Sequence, residues 1–464
     1  MASETPPTPT AARPRPVTPS LTPPFVWAAT TLAVVGGFGL GGALFAALLG
    51  PRPGLWWPAA AQAHGHVQLF GWAGLMVVGV GLHFLPRLRG AALAAPGLAP
   101  WVLALFGGGV ALRLVAQPLA AARPALTWLL VLAALLELAG AALAAGMLVA
   151  TSRRAMPLRE RAGVIPVLPF VVLAFSSLLL ALLVNLVGWV VAVGSGLPLL
   201  SAPWEPLIVQ LGLVGFLVSV SLAVAVRTFP LYLRVRVPST RALWGILAVL
   251  AAGLLLRVVA ILGAPLEVDA VGRLLQGAAL LVAPWVVDVP LLRTRAAMLA
   301  RTEARARELG TAPRPLPPLG SDLVAAEWLL RAAYAWLAVA GLLLLLGGAL
   351  ALAGGPLLPV DVERHALGAG FVTLLILGMG PRLLPGFVGR QHVASAGLVW
   401  ATVWLGNAAA LLRVATPLAV WLLPLTAPGA APPAALTDGL LALSGLLGLA
   451  AVLCFAVNLW RTLR

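Results

Sequence analysis

The chain has 464 residues, 61% of them hydrophobic and 9% charged, with a mean hydropathy of +1.03. Soluble chains carry about 45–50% apolar and about 25% charged residues, so a soluble enzyme, a disordered chain and a secreted disulfide scaffold are excluded. The net charge of +16 comes from 30 basic and 14 acidic residues, every basic one an arginine. These arginines sit between apolar segments, not on a clustered reading face, which points to membrane lipid and away from nucleic acid.

Residues 1–24, rich in Pro, Thr and Ala, are expected to form a disordered cytoplasmic tail. Apolar stretches follow near 25–49, 64–86, 98–119, 125–150, 166–194, 205–229, 241–263, 273–292, 325–353, 365–387, 394–416 and 437–460. Each is close to the ~20 residues that span a bilayer, so the expected fold is all-α, a polytopic membrane protein of twelve transmembrane helices. The first stretch lacks a small-residue cleavage site and is read as a retained helix. The single cysteine, Cys454, lies in an apolar run, which excludes an intrachain disulfide and a thiolate cluster.

Orientation follows from arginine placement. Arg87 and Arg89 follow the second stretch, Arg153, Arg154, Arg159 and Arg161 the fourth, and Arg234, Arg236 and Arg241 the sixth. Arg293, Arg295, Arg301, Arg305, Arg307 and Arg314 follow the eighth, Arg390 the tenth, and Arg461 and Arg464 end the chain. The opposite loops carry mainly Glu205, Glu267, Asp269, Asp361, Glu363 and Asp438. Both termini are therefore expected in the cytoplasm of a bacterial-type inner membrane. The long basic loop 293–324 is expected to form an interfacial amphipathic segment.

An internal repeat organises these stretches. Counted from His66, Gln210 and His365, position +5 is Gly71, Gly215 and Gly370, and position +6 is Trp72, Phe216 and Phe371. Position +17 is His83, Arg227 and Arg382, and position +20 is Pro86, Pro230 and Pro385. Arg113, Arg257 and Arg413 follow those prolines by 27, 27 and 28 residues. The spacing predicts three four-helix units, near 25–150, 166–292 and 325–464, around a pseudo-threefold axis.

With that topology His64, His66, Gln210 and His365 lie near the outer ends of their helices. Arg113, Arg257 and Arg413 come late in the following spans and return to the same depth. A layer of imidazoles and guanidiniums suits haem, which needs iron ligands and partners for its propionates. His66 and His365 are equivalent positions and the expected haem pair; otherwise they are interfacial histidines bonded to loop backbone. His64, about 200° around the helix from His66, is a candidate for copper or a second haem, or a helix-start residue facing water. The three arginines are expected to hold propionates or a substrate anion, or else to snorkel to the interface.

His83 and His392 are expected at the cytoplasmic edge and in a solvated loop. The three repeat glycines are expected to permit close helix contact, and Trp72, Phe216 and Phe371 to fill the core. Glu137, Asp288 and Glu327 are the candidate intramembrane acids.

The run His64-Gly-His66-Val-Gln-Leu-Phe70-Gly71-Trp72, closed by Pro86, resembles the H-A-H-E-x-L-F-G-F segment of the NnrS family. His365-Ala-Leu-Gly-Ala-Gly370, with Arg382 and Gly386, is similar to that family's H-A-L-T-V-G…R…G-H-T-G segment. Val67 stands where the family has an acidic residue, and Phe387 where it has a late histidine. The resemblance implies a membrane protein containing haem b and copper and linked to nitric oxide and nitrosative stress, with His64, His66 and His365 as metal positions. The four-helix plan also resembles subunit I of the heme-copper oxidases. In those proteins helices 2 and 10 bear haem ligands, and helices 6 and 7 bear copper ligands. Gln210 and a seventh stretch without histidine leave no conventional oxygen-reducing centre.

The leading expectation is therefore a haem protein that binds or transforms nitric oxide or a related small gas near the outer face. One alternative is a reduced oxidase relative exchanging electrons with quinol or a cytochrome donor. The other is a haem-free transporter or channel.

Overall fold

In lipid, runs of Leu, Ala and Val must satisfy their own backbone groups, which makes each run a helix. The structure, a computed structural model, describes residues 21–51, 53–158, 162–233, 235, 237–287, 289, 295–312, 320–427 and 429–464. Every regular element among them is helical. In chain order the long helices are α1 (Thr22–Leu48), α2 (Trp56–Arg89), α3 (Pro96–Ala120), α4 (Pro124–Arg154), α5 (Leu168–Val193) and α6 (Trp204–Tyr232). They continue with α7 (Thr240–Ile261), α8 (Leu266–Val286), α9 (Ser321–Leu352), α10 (Val360–Val388), α11 (Ala396–Thr426) and α12 (Ala434–Leu463).

Eleven of these are long and apolar enough to cross a membrane. Helix α8, which carries Glu267, Asp269, Arg273 and Gln276, falls outside that set. Outward faces present bare Leu, Val and Trp, among them Trp101, Trp128 and Trp404. So much exposed apolar surface is untenable in water and natural against acyl chains. The chain is a multi-pass membrane protein. A further helix, Arg295–Glu308, falls in the basic loop, with exposed Arg305–Glu308 and Arg307–Glu303 pairs.

Helices α2, α6 and α10 are the innermost, with 67%, 89% and 72% of their most apolar window buried, against 22–39% for the other spans. Each opens into a π-helical segment: Val67–Gly74, Gln210–Val218 and Ala366–Thr373. A π turn re-aims the side chains around it and recurs at functional sites. The three segments touch pairwise. A Cβ added at Gly212 would meet the tip of the Phe70 ring at 3.0 Å. Side chains therefore fill the centre of the bundle at this level. Around it, small residues let backbones approach: a Cβ on Gly445 would lie 2.5 Å from Gly42 Cα, and one on Gly277 2.7 Å from the Gly341 carbonyl oxygen.

Three boundaries differ from those expected of hydropathy. Residues 22–24 form the first turn of α1, where Pro23 and Pro24 supply helix-ready φ angles; residues 1–20 of the expected tail lie outside the described residues. Helix α2 begins at Trp56 because the Ala-rich run 59–61 is strongly helix-forming. His64 is therefore two turns inside a helix, and the expectation of a water-facing helix start is corrected. Helix α10 begins at Val360, which brings Asp361 and Glu363 out of the expected loop and onto the helix that bears His365.

Candidate functional site

His66 is almost fully buried at the head of the α2 π segment, 3% exposed. Its Nδ1 lies 2.8 Å from Arg113 Nη1 on α3, and its Nε2 lies 2.7 Å from Glu137 Oε2 on α4. Arginine can only donate, so Nδ1 accepts and Nε2 carries the proton given to the carboxylate. Both ring nitrogens are used, and no lone pair remains for a metal. Arg113 also donates to Asn185 Oδ1 on α5 at 2.6 Å and through Nε to Gln117 Oε1 at 2.9 Å. Gln117 passes the chain on to Gln62 and the Pro198 carbonyl. The guanidinium lies 5.3 Å from the centre of the Trp189 ring. The cluster is a buried polar core joining α2, α3, α4 and α5, in which Arg113 Nη2 and Glu137 Oε1 have no hydrogen-bond partner among the described residues.

At the position equivalent to His66, Gln210 heads the α6 π segment. It lines a cavity of about 430 Å³ together with Arg257, Asp269, Arg273, Glu363 and Arg364. Two arginines and two acids form a closed ring here. Arg257 donates through Nε to Asp269 Oδ1 at 3.1 Å and through Nη2 to Glu363 Oε1 at 2.9 Å. Arg273 donates through Nε to Asp269 Oδ2 at 2.5 Å and through Nη1 to Glu363 Oε2 at 2.6 Å. Every carboxylate oxygen receives one guanidinium N–H, so the ring is neutral and ties α7 and α8 to α10.

The third position is built differently. His365 Nδ1 lies 2.9 Å from the Asp361 carbonyl and 3.0 Å from Asp361 Oδ1. Arg413 of α11 holds the other Asp361 oxygen at 2.6 Å and lies over Phe45 of α1, 4.8 Å from the ring centre. His64 points to α1: its Nδ1 is 2.8 Å from the Gly37 carbonyl, and its ring occupies the space a Cβ on Gly41 would need. His365 and Arg413 lie within its electrostatic range. Carbonyl and carboxylate oxygens accept, so each imidazole carries a proton on Nδ1, and in the neutral ring Nε2 keeps its lone pair.

The structure thus brings His64, His365 and Arg413 into one region. His66 and Arg113 belong to a second region and Arg257 to a third. His66 is turned toward α3 and α4, where Arg113 and Glu137 engage both ring nitrogens. All three arginines share a depth with the expected residue of α2, α6 or α10, and each is already engaged by protein groups. Among the described residues no group of three or more His, Cys, Asp or Glu side chains is arranged to hold a metal ion.

The remaining candidates are structural. His83 stacks edge-on with Phe84 and Phe387, and His392 lies 3.2 Å from Asp322. Glu327 accepts from Arg382 at 2.6 Å; Asp288 lies outside the described residues. A Cβ at Gly71, Gly215 or Gly370 would meet Val110, Ser177 or Trp336, as expected of close helix contacts. Trp72, Phe216 and Phe371 pack edge-on against Phe455, Phe175 and Tyr334 in the core. A second, apolar cavity of about 320 Å³ lies between the far halves of α2, α6 and α10, with Arg87 and Arg227 on its wall.

Residue order alone missed Gln62, Gln117 and Asn185, which are isolated amides in apolar runs. It also placed Asp269 and Glu363 among loop charges. The i,i+4 spacing of Asp269 and Arg273 was the available signal that these charges sit on a helix. No protein-family model matches the chain and no curated protein matches it, so the side chains just described carry its functional reading.

Proposed function

We propose that the chain is a haem b protein of the NnrS type, in which His64 and His365, rather than His66 and His365, hold the iron. One observation carries this reading: each of these two imidazoles commits Nδ1–H to an oxygen acceptor and keeps Nε2 free. Metal-bound histidines characteristically have that arrangement, because the acceptor fixes the tautomer and ring orientation. The donor set therefore fits haem. The surroundings agree: Gln68 Oε1, one turn beyond His64, is buried without a partner. A Cβ at Gly368, one turn beyond His365, would meet open space. Arg413 is the cation beside the pair and the residue that would hold a propionate.

A haem bound there supplies one-electron redox chemistry. The protein's own part is to orient two imidazoles through Gly37 and Asp361 and to place Arg413 against Asp361. Two imidazoles at one iron favour electron transfer, with quinol or a cytochrome as donor, over direct gas binding. Nitric oxide enters as the linked substrate through the family likeness. Assigning His64 to iron removes the residue on which copper rested, so copper has no place in this reading. The channel alternative loses weight because α2, α6 and α10 meet at their π segments.

The architecture belongs to the same proposal: twelve spans in three four-helix repeats, both termini cytoplasmic. Helix α8 joins the spans because its Asp269 and Arg273 are neutralised in the ion ring. The repeat is supported by the matching π segments of α2, α6 and α10. It is supported also by left-handed glycines four residues after Pro86 and Pro385, at Gly90 (φ 67°) and Gly389 (φ 73°).

The test is a reduced-minus-oxidised spectrum with pyridine haemochrome analysis of protein purified from haem-replete cells. A b-type spectrum lost in His64→Ala and in His365→Ala, and kept in His66→Ala, is expected. Colourless protein, or a spectrum that survives both substitutions, overturns the assignment.

A further inference from the structure

The cavity beside Gln210 has more donors than its own acceptors can use. The two acids on its wall have each oxygen taken by Arg257 or Arg273. Gln210 is 7% exposed, and its Nε2 is buried without any hydrogen-bond partner. A buried amide N–H₂ without an acceptor is costly to leave unmet, and this one belongs to a residue that lines the cavity. Arg364 lines the same cavity and donates no hydrogen bond to a protein group among the described residues. Glu205 is the acid in its electrostatic range, shared with Arg113. Because the ring is neutral, Arg364 leaves the wall positive. The rest of the wall is apolar, including Val209, Leu213, Val214, Ile261 and Leu367. At about 430 Å³ the space is within the ~300–1,000 Å³ of ordinary small-molecule sites.

We propose that this cavity binds a small organic anion, a carboxylate on a compact apolar body. The carboxylate accepts from Gln210 Nε2 and Arg364, and the body lies against the Val209–Leu213–Ile261 wall. The neutral ring acts as a rigid back wall: its arginines are held by their acids, and its acids are shielded from the incoming charge. An organic cation would meet Arg364 on a wall whose own two carboxylates are both engaged. A neutral alcohol would leave the guanidinium unmatched. The site uses none of His64, His365 or Arg413, so it stands or falls independently of the haem.

The experiment is equilibrium dialysis of radiolabelled benzoate against the full-length protein in nanodiscs, with benzyl alcohol and benzylammonium as competitors. Saturable benzoate binding is expected, with neither competitor displacing it at tenfold higher concentration. Gln210→Leu is expected to weaken binding at least tenfold, and Ile261→Trp, which fills the cavity, to abolish it. Gln210→Leu removes an unpartnered amide and should fold at least as well as the parent, which circular dichroism would verify. Absence of saturable benzoate binding overturns the proposal. So does binding unchanged in both variants, or displacement by benzyl alcohol as effective as that by unlabelled benzoate.

Discussion

His66 and Gln210 each stand at the head of a π segment of an inner helix, yet they face different surroundings. His66 has donors and acceptors on both ring nitrogens, from Arg113 and Glu137. Gln210 lies against a cavity with its amide nitrogen unpartnered. One site is thus filled by packed polar side chains, and the other borders a cavity. The neighbour that makes the difference is Glu137. In the first unit an acid on α4 lies within reach of the α2 residue. In the second, the acids belong to α8 and α10 and are consumed by Arg257 and Arg273. The residue heading the π segment is buried in both cases, and what lies beside it, packed side chains or a cavity, sets what it can bind.

The largest way to break this comparison is Glu137→Leu. It removes the carboxylate that accepts from His66 and Asn185 and leaves Glu205 as the remaining acid in electrostatic range of the buried Arg113 charge. Breaking a buried ion pair by deleting one partner typically destabilises by about 3–5 kcal/mol, and that loss is expected from equilibrium unfolding in detergent. The double variant Arg113→Leu/Glu137→Leu should lose less than the two single losses added together, because the stranded charge is gone. Gln210→Leu should go the other way, stabilising by about 1 kcal/mol through removal of an unsatisfied buried amide. Equal losses at positions 66 and 210 on substitution by Leu would erase the distinction.

Arg273→Leu comes next. Arg257 still holds one oxygen of each acid, so the ring opens without stranding a carboxylate entirely. Removing hydrogen bonds to charged groups typically destabilises by about 1.5–3 kcal/mol, smaller than the Glu137 effect. A larger loss would mean that the ring, not the His66 core, is the main polar tie between units.

The order of these effects bears on how much the sequence disclosed. Helical class and membrane residence follow from hydropathy, because lipid leaves the backbone one solution and the bilayer fixes its length. Which way a histidine points does not follow. His64 and His66 lie about 200° apart on one α-helical segment, but the partners each face meets, Gly37 for one and Arg113 and Glu137 for the other, come from distant helices that residue order does not place. The closing of Asp269 and Glu363 onto Arg257 was hidden for a related reason. Hydropathy windows begin where apolar residues dominate, so they cut off the first turns of α8 and α10, where those acids sit.

Gly41→Ala tests the orientation of His64 with a modest effect. The new methyl would lie 2.7 Å from His64 Cε1, so the ring must shift and its bond to the Gly37 carbonyl lengthen. Overpacking of this kind typically destabilises by about 1–3 kcal/mol, and the lower end is expected because an imidazole can rotate where backbone cannot. If His64 holds iron, the same substitution also shifts the reduced-minus-oxidised spectrum, whereas Gly71→Ala, against Val110, leaves it unchanged.

The smallest expected effect isolates burial from sequence spacing. Arg305 and Glu308 form an i,i+3 pair at 3.0 Å on the helix of the basic loop, with side chains 70% and 65% exposed. Arg273 and Asp269 form an i,i+4 pair whose side chains are 12% and 17% exposed. Local geometry is similar, but water screens the first pair, and holding two long side chains in place offsets what attraction remains. Arg305→Ala should therefore leave unfolding indistinguishable from the parent, in the same assay that resolves Arg273→Leu. A measurable loss at Arg305 would mean that the loop helix is docked on another surface and desolvated there. The contrast between paired charges inside the bundle and paired charges on its rim would then no longer hold.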